Sequence, residues 1–280
     1  MQISDTDLIN LADYPIHTCG PERDAVLARV WADLEKDGCA VLKGFLTPAG
    51  VAALTEEADG VADRGHSSFS KTNVYFSQDD PSLPNDDPRR QFYDRSNAFI
   101  AADNFAKDGP LRRVHDFEGF DQFIQDCLQE EKFYRYADPL ADVIVNMASE
   151  GNGFPWHFDT NNFTVTLAIQ NANAGGAFEY APKIRENDEN FPEVKRVLDG
   201  TSDKIHVLNL EPGDLQLFRG RYSLHRVAPL EGKRPRYVAI FSYVEEPGMV
   251  GSVERTKQLY GRTLPIHEER AGQRGDAYLD

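Results

Sequence analysis

Cysteine is scarce and unpatterned in this chain, with three residues, Cys19, Cys39 and Cys127, and no Cys-x-x-Cys pair among them. An odd number in 280 residues argues against a disulfide framework, and the missing pair spacing excludes a thiolate zinc site, so reduced thiols in a cytoplasmic protein are expected. Long apolar runs are also missing, and none reaches the length that spans a bilayer. Met1 to Asp13 holds three acids and no basic residue, unlike the charged start and apolar run of a signal peptide. Positive charge is in deficit as well. The 30 Lys and Arg stand against 46 Asp and Glu, a net charge of −16 with pI near 4.8. Phosphate neutralisation and docking on anionic lipid are both disfavoured by that balance, so the expected partner is a small molecule, with no nucleic acid and no membrane.

What is present suffices for one sizeable core, since 40% of residues are hydrophobic, and a single domain over residues 1–280 is expected. Residues 1–137 read as a mostly helical part. Val26, Val30 and Leu34 recur at helical spacing before Gly38, the run Cys39 to Phe45 is strand-like, and Thr47-Pro48 opens a helix to about Asp63. Asp79 to Arg90, with three prolines and four aspartates, reads as a loop, and Phe120 to Glu131 as a helix. From Asp142 the period changes to two. Val143 to Ala148, Phe163 to Gln170, Gly176 to Tyr180, Ile205 to Leu210, Leu215 to Phe218 and Arg236 to Tyr243 are short β-like runs between turn residues. The fold class expected is α+β, mainly β: a sandwich or barrel core over residues 138–262 with N-terminal helices packed on it, and a polar tail over 263–280. Arg185 to Asp203 interrupts the strands as either a solvated loop with one helical turn or a lid.

His157-Phe158-Asp159 is the first chemical signal. An H-x-D triplet is weak by itself, and His267-Glu268-Glu269 matches the related H-x-E form in a charged tail with no later histidine. The setting strengthens the first. In a strand, residues i and i+2 face the same way, so His157 and Asp159 can reach one ion while Phe158 turns aside. His225 lies downstream, after Glu211-Pro212-Gly213-Asp214 and the run Leu215 to Phe218, where a neighbouring strand can bring it beside the pair. Two imidazoles and a carboxylate occupy one face of Fe(II) and leave three positions open. Arg236 starts the last strong strand, from which a guanidinium can clasp a carboxylate with two parallel hydrogen bonds. Arg234 is its rival, in a turn beside Pro235, and Arg226 should point away from the site. The same ligands can also hold zinc with a hydrolytic water, which would leave Arg236 without a use.

From roughly Asp138 to Arg262 the chain resembles the Fe(II)/2-oxoglutarate-dependent oxygenase superfamily. More narrowly it resembles the group of radical halogenases of free amino acids such as lysine and their hydroxylase relatives. The matching residues are Pro155-Trp156-His157-Phe158-Asp159, Gly175-Gly176-Ala177-Phe178-Glu179-Tyr180, Pro212-Gly213-Asp214, Phe218-Arg219-Gly220, His225-Arg226-Val227 and Phe241-Ser242-Tyr243. The resemblance implies a double-stranded β-helix, a jelly roll of cupin type. It implies Fe(II) on His157, Asp159 and His225, 2-oxoglutarate anchored by Arg236, and O2 as the oxidant. Halogenases of the group carry glycine where this chain has Asp159, so hydroxylation of an unactivated C–H is implied, with release of succinate and CO2.

Within that resemblance, Arg95 is the candidate cation for the carboxylate of a free amino acid, and Asp138 the candidate acceptor for its amine. Arg95 has the alternative of pairing with a nearby acid, and Asp138-Pro139 that of a turn opener. Ile240 and Ser242 share a face with Arg236, and Thr164 is placed to face the cavity from the strand after the ligands. Asn146 is a candidate hydrogen-bond partner of 2-oxoglutarate or a member of a buried network. Trp156 and Tyr260 read as packing aromatics, with Tyr260 also at a substrate mouth. A lysine-like side chain would need a further acceptor, which Ile240 is not. A modified or carrier-tethered small molecule is the alternative substrate class, although an acidic carrier would be repelled by this chain.

Overall fold

The computed structural model describes residues 4–270. A single turn, α1 (Asp5–Leu8), precedes α2 (Pro21–Asp37). Pro21 opens α2, where its missing N–H leaves no helical bond unmade, and Gly38 closes it in the left-handed region at φ 63°, donating its N–H to the Leu34 carbonyl. After β1 (Cys39–Leu42), α3 (Pro48–Val61) begins at Thr47, whose hydroxyl accepts the Gly50 N–H at 3.0 Å. Strands β2 (His66–Thr72) and β3 (Tyr93–Ile100) follow, then helices α4 (Pro110–His115) and α5 (Phe120–Leu128).

Helices make up most of the regular structure in this first half, but two strands the sequence does not announce, β2 and β3, join β1 in the main sheet. The segment His66–Thr72 has little apolar content and alternates between half-buried and exposed residues. It is held by ladder bonds to β3 along its whole length, which a hydrophobic pattern cannot reveal. The segment 79–90 is irregular up to a short 3-10 turn at Pro88–Arg90.

The second half supplies β4 (Tyr134–Arg135), β5 (Val143–Ala148), β6 (Phe154–His157), β7 (Thr164–Gln170), β8 (Ala174–Gly175) and β9 (Phe178–Ala181). Helix α6 (Phe191–Leu198) separates these from β10 (His206–Leu208), β11 (Leu215–Phe218), β12 (Leu224–Val227), β13 (Leu230–Glu231), β14 (Arg236–Phe241) and β15 (Tyr243–Val244). Helices α7 (Val253–Tyr260) and α8 (Pro265–Glu269) end the described chain. A seven-stranded sheet runs β1-β11-β7-β14-β5-β3-β2, and a four-stranded sheet runs β10-β9-β12-β6. The pairs β13-β8 and β15-β4 are separate. Every pairing is antiparallel, and the two larger sheets make the double-stranded β-helix.

Side-chain alternation divides the large sheet between a core and a cavity. Val143, Val145, Val165, Leu167, Leu215, Leu217, Tyr237, Ala239 and Phe241 pack into the main core with α2 to α5. Their neighbours Asn146, Thr164, Thr166, Gln216, Phe218, Arg236, Val238 and Ile240 line a cavity. The interruption at 185–203 contains a helix longer than the single turn expected. Its Val194 and Val197 pack with Trp156 and Phe158 in a second apolar cluster. No helix among the described residues is long and apolar enough to cross a membrane.

Candidate metal centre and co-substrate cavity

His157 ends β6 and His225 lies in β12, and the two are direct partners across the ladder. Asp159 sits just past the strand, its N–H donating to the Gly220 carbonyl at 3.1 Å, while Phe158 turns to the opposite side and is buried there. One ligand atom from each of His157, Asp159 and His225 lies within 4.8 Å of the others. Asp159 Oδ1 is 3.6 Å from His157 Nε2 and 3.4 Å from His225 Nε2. The rings are aimed by backbone carbonyls: His157 Nδ1 is 2.8 Å from the Pro155 oxygen and His225 Nδ1 is 2.9 Å from that of Ser223. A carbonyl only accepts, so each Nδ1 carries the hydrogen and each Nε2 presents a lone pair to the common point.

Electrostatics suit a cation there. Burial, the His225 ring and the Arg95 charge push His157 well below the usual imidazole range, which keeps it neutral and able to ligate. Burial would raise the Asp159 carboxyl, but His225, His157 and the Thr164 hydroxyl outweigh it and hold the group well below the usual carboxylate range. Thr164 donates to Asp159 Oδ2 at 2.5 Å, which leaves Oδ1 for an ion. Thr164 faces the cavity, as expected of its strand, and its hydroxyl orients a ligand. Gly220 completes this arrangement, since a Cβ there would lie 1.9 Å from Asp159 Oδ2.

The triad opens into a cavity of about 170 Å³ between the sheets. Arg236, Arg95, Asn146 and Ile240 line it, as the sequence predicts, together with Phe99, Phe154, Phe178 and Phe218. Arg236 stands opposite Ala148 at the start of β14 and is 8% exposed. Among the described residues its side chain has no hydrogen-bond or carboxylate partner, and burial alone pushes its guanidinium down to about 10. A buried cation without a partner is costly, so this cavity is suited to an anion, and a small dicarboxylate reaching the triad fits the volume and the donors. Three ligands on one side with one anion clasp fit Fe(II) and a chelating oxoacid. Arg95 lies over the rings of Phe76 at 4.6 Å and Phe154 at 5.6 Å, and burial followed by the Arg255 charge pushes it down to about 10. Asn146 donates to the Ala98 carbonyl at 3.1 Å.

Asp138 and Ser242 are not in this cavity. Both line a second one beside it, and Asp138 is 1% exposed, accepting N–H groups from Leu140 and Gly251 and facing His267 Nε2 at 2.9 Å. The amine-acceptor role expected for Asp138 is corrected accordingly, because its oxygens are already occupied. Ser242 leaves the face of Arg236 because the chain departs from β14 after Phe241 and its backbone bonds to Asp142 and Tyr136. His267, a chance match by its sequence, is buried in α8 and holds Asp138, so the tail is packed at this point. Tyr260 also lines the second cavity and meets Phe99 edge-on. Arg226 points away, paired with Glu179 at 2.7 Å and lying over Trp156, and Arg234 lies in the turn, donating to the Ala172 carbonyl.

Besides the aromatic rings of the cavity, Gln216 and Phe76 escaped the sequence reading. Gln216 lines the cavity, and the period of two in Leu215 to Phe218 would have placed it there. Phe76 packs 5.8 Å from the His157 ring with a left-handed φ of 57°. The buried Asn73 amide ties this loop by accepting the N–H groups of Tyr75 and Ser77 and donating to the Arg89 carbonyl. No local pattern announces such a loop.

Comparison with known proteins gives the same placement. No curated protein sequence matches the chain significantly. Among solved structures, the chain is similar to the non-heme alpha ketoglutarate dependent epimerase SnoN from nogalamycin biosynthesis, at 14% identity and a TM-score of 0.56 over 79% of this chain and 83% of that one. It is similar to AviO1 from Streptomyces viridochromogenes Tue57, at 16% identity and a TM-score of 0.53 over 82% and 98% of the two chains. HygX from Streptomyces hygroscopicus, solved with nickel and 2-oxoglutarate bound, gives 11% identity and a TM-score of 0.52 over 83% and 89%. These likenesses establish the fold. The family model described as Halogenase D matches residues 22–260, and the chain therefore belongs to that family, within the Fe(II)/2-oxoglutarate oxygenase superfamily.

Proposed function

We propose that the protein is an Fe(II)- and 2-oxoglutarate-dependent dioxygenase that hydroxylates an unactivated C–H of a free amino acid. The observation that carries this reading is Arg236, a buried guanidinium without a partner among the described residues, in the cavity into which His157, Asp159 and His225 converge. A zinc hydrolase would have no use for that charge.

The bound metal and co-substrate supply the oxidising power, consuming O2 and releasing succinate and CO2. The chain's own residues position and select. His157, Asp159 and His225 hold the ion by one face, with Thr164 and the Pro155 and Ser223 carbonyls aiming them. Arg236 takes the far carboxylate of 2-oxoglutarate in two parallel hydrogen bonds. Arg95, beside the rings of Phe76 and Phe154, takes the substrate carboxylate. Phe154, Val238 and Ile240 exclude water from the reacting carbon. Asp159 supports hydroxylation over halogenation, since its carboxylate fills the position a halide would need and repels it.

The test is mass spectrometry of reactions containing Fe(II), 2-oxoglutarate, O2, chloride and a panel of free amino acids, with succinate measured in the same tubes. A product one oxygen heavier with matching succinate supports the reading. A chlorinated product overturns the hydroxylase assignment, and the absence of succinate with every substrate overturns the oxygenase.

A further inference from the structure

A larger cavity, of about 360 Å³, adjoins the candidate metal centre. Asp159 lines both this space and the cavity of the triad, so a molecule seated here reaches the metal centre past that residue. Three rings wall it. Tyr75 stacks on Phe158 with centroids 5.5 Å apart and 28° between planes, and Phe191, the first residue of α6, meets Tyr75 edge-on at 6.0 Å. The stack is fixed to the ligand segment, because the Phe158 N–H donates to the Val74 carbonyl and the Tyr75 N–H to Asn73 Oδ1, both at 3.0 Å.

A guanidinium of the chain itself occupies this aromatic box. Arg185 lies 4.9 Å over Phe158 and 5.6 Å over Tyr75, with Nε 2.9 Å from Glu189 Oε2. Ring faces with a carboxylate alongside suit a desolvated, planar cation. The fit of Arg185 is incomplete. Among the described residues Glu189 Oε2 accepts no aligned hydrogen bond, and the Tyr75 hydroxyl, also shut from solvent, has no partner. Burial and then the Glu189 charge push that hydroxyl up, which keeps it protonated beside the carboxylate. Arg185 precedes Glu189 by four residues, and its backbone N–H is tied to the Tyr222 carbonyl at 3.0 Å, so the chain limits its approach. A guanidinium free of that tether carries five N–H donors in one plane, enough to bond both oxygens. Arg185 has somewhere to go, its side chain being 24% exposed. The neighbouring cation, Arg89, is already neutralised by Asp87, to which it donates through Nε at 2.8 Å and Nη2 at 2.7 Å.

On the reading of the protein as an amino-acid oxygenase, we propose that this cavity receives the guanidinium of an arginine-type amino acid, and that Arg185 is a placeholder which swings out as the substrate enters. Glu189 is then the acceptor that a basic side chain needs and that Ile240 is not. The net charge of −16 draws such a cation toward the protein. The planar fork both stacks on the rings and bonds two oxygens, which the compact ammonium of lysine does not do, and a leucine side chain leaves Glu189 without a cation once Arg185 is displaced.

Anaerobic titration calorimetry of the metal- and 2-oxoglutarate-loaded protein tests this, with L-arginine, L-lysine, L-glutamine and L-leucine as probes. L-Arginine is expected to bind most tightly, roughly tenfold or more above L-lysine. Arg185→Ala and Arg185→Gln, which empty the box in advance, are expected to tighten L-arginine binding roughly threefold or more. Glu189→Gln is expected to weaken it roughly tenfold or more, and Tyr75→Phe about threefold. Tighter binding of another probe by the wild type, or L-arginine binding that weakens or stays unchanged when Arg185 is replaced, overturns the proposal, and the wild-type panel decides even where a variant is unstable. Admitting O2 separates this inference from the reading on which it rests. Tightest binding of L-arginine without succinate from any probe removes the oxygenase and keeps the guanidinium site, whereas succinate driven best by another amino acid does the reverse.

Discussion

His157 and His225 oppose each other directly across the β6-β12 ladder, their ring centroids 4.2 Å apart. One strand pairing therefore sets the spacing of the two histidines of the candidate metal centre, and the small sheet carries these while the large sheet carries Arg236. His225→Ala is expected to lower metal occupancy at least tenfold with little change in secondary structure, because the neighbouring Phe178 and Phe218 remain packed on Tyr180. Metal analysis of purified protein alongside circular dichroism checks this. Full occupancy in the variant would remove His225 from the ligand set.

Arg236→Met separates function from stability. Loss of two charge-assisted hydrogen bonds is expected to raise the KM for 2-oxoglutarate by roughly tenfold or more. Removing a buried cation that lacks a partner among the described residues is expected to raise the melting temperature of the ligand-free protein by about a few degrees. A variant that is both less stable and unchanged in KM would make Arg236 a structural residue.

Gly220 makes room for a ligand. A Cβ at this position would sit 1.9 Å from Asp159 Oδ2 and 2.6 Å from its Cγ, so Gly220→Ala must displace the carboxylate. Metal affinity is expected to fall about 10- to 100-fold, and Thr164→Val, which deletes the hydrogen bond to the same oxygen, to produce a smaller loss. Competition titrations with a chelator measure both, and equal affinities in all three proteins would contradict the arrangement.

His115 predicts acid lability. It is fully buried among Phe120, Phe241 and Tyr243, neither ring nitrogen has a partner among the described residues, and burial followed by the charges of Arg135 and Arg112 pushes it down to about 2. The unfolded chain takes up a proton near pH 6.5 and the folded one does not. Stability is therefore complete above that pH and falls by roughly 1 kcal/mol per pH unit on acidification, until the folded group also titrates. His115→Phe is expected to flatten this slope in urea melts between pH 7 and 5, and an unchanged slope would assign the acid sensitivity to other groups.

Local chemistry already carried much of this protein. Pro21, Gly38 and Thr47-Pro48 announced their helix ends because caps and breakers act over a few residues. The triplet at His157, the downstream His225 and the strand beginning at Arg236 were readable because a period of two decides which side chains share a face. Phe158 turned away from the metal as that period requires. What the sequence could not decide depended on contacts between distant segments. The polar strand His66–Thr72 exists through its partner β3, and the φ of Phe76 is held within a loop organised by the buried Asn73. Asp138 belongs to the wall because His267, from a helix near the end of the described chain, reaches it. Side-chain chemistry and alternation, which are local, determined the candidate ligand set and the buried guanidinium that shares its cavity. Only tertiary packing decided which carboxylates remain open to a substrate, because a buried acid is available or spent according to the donors that the rest of the fold brings to it.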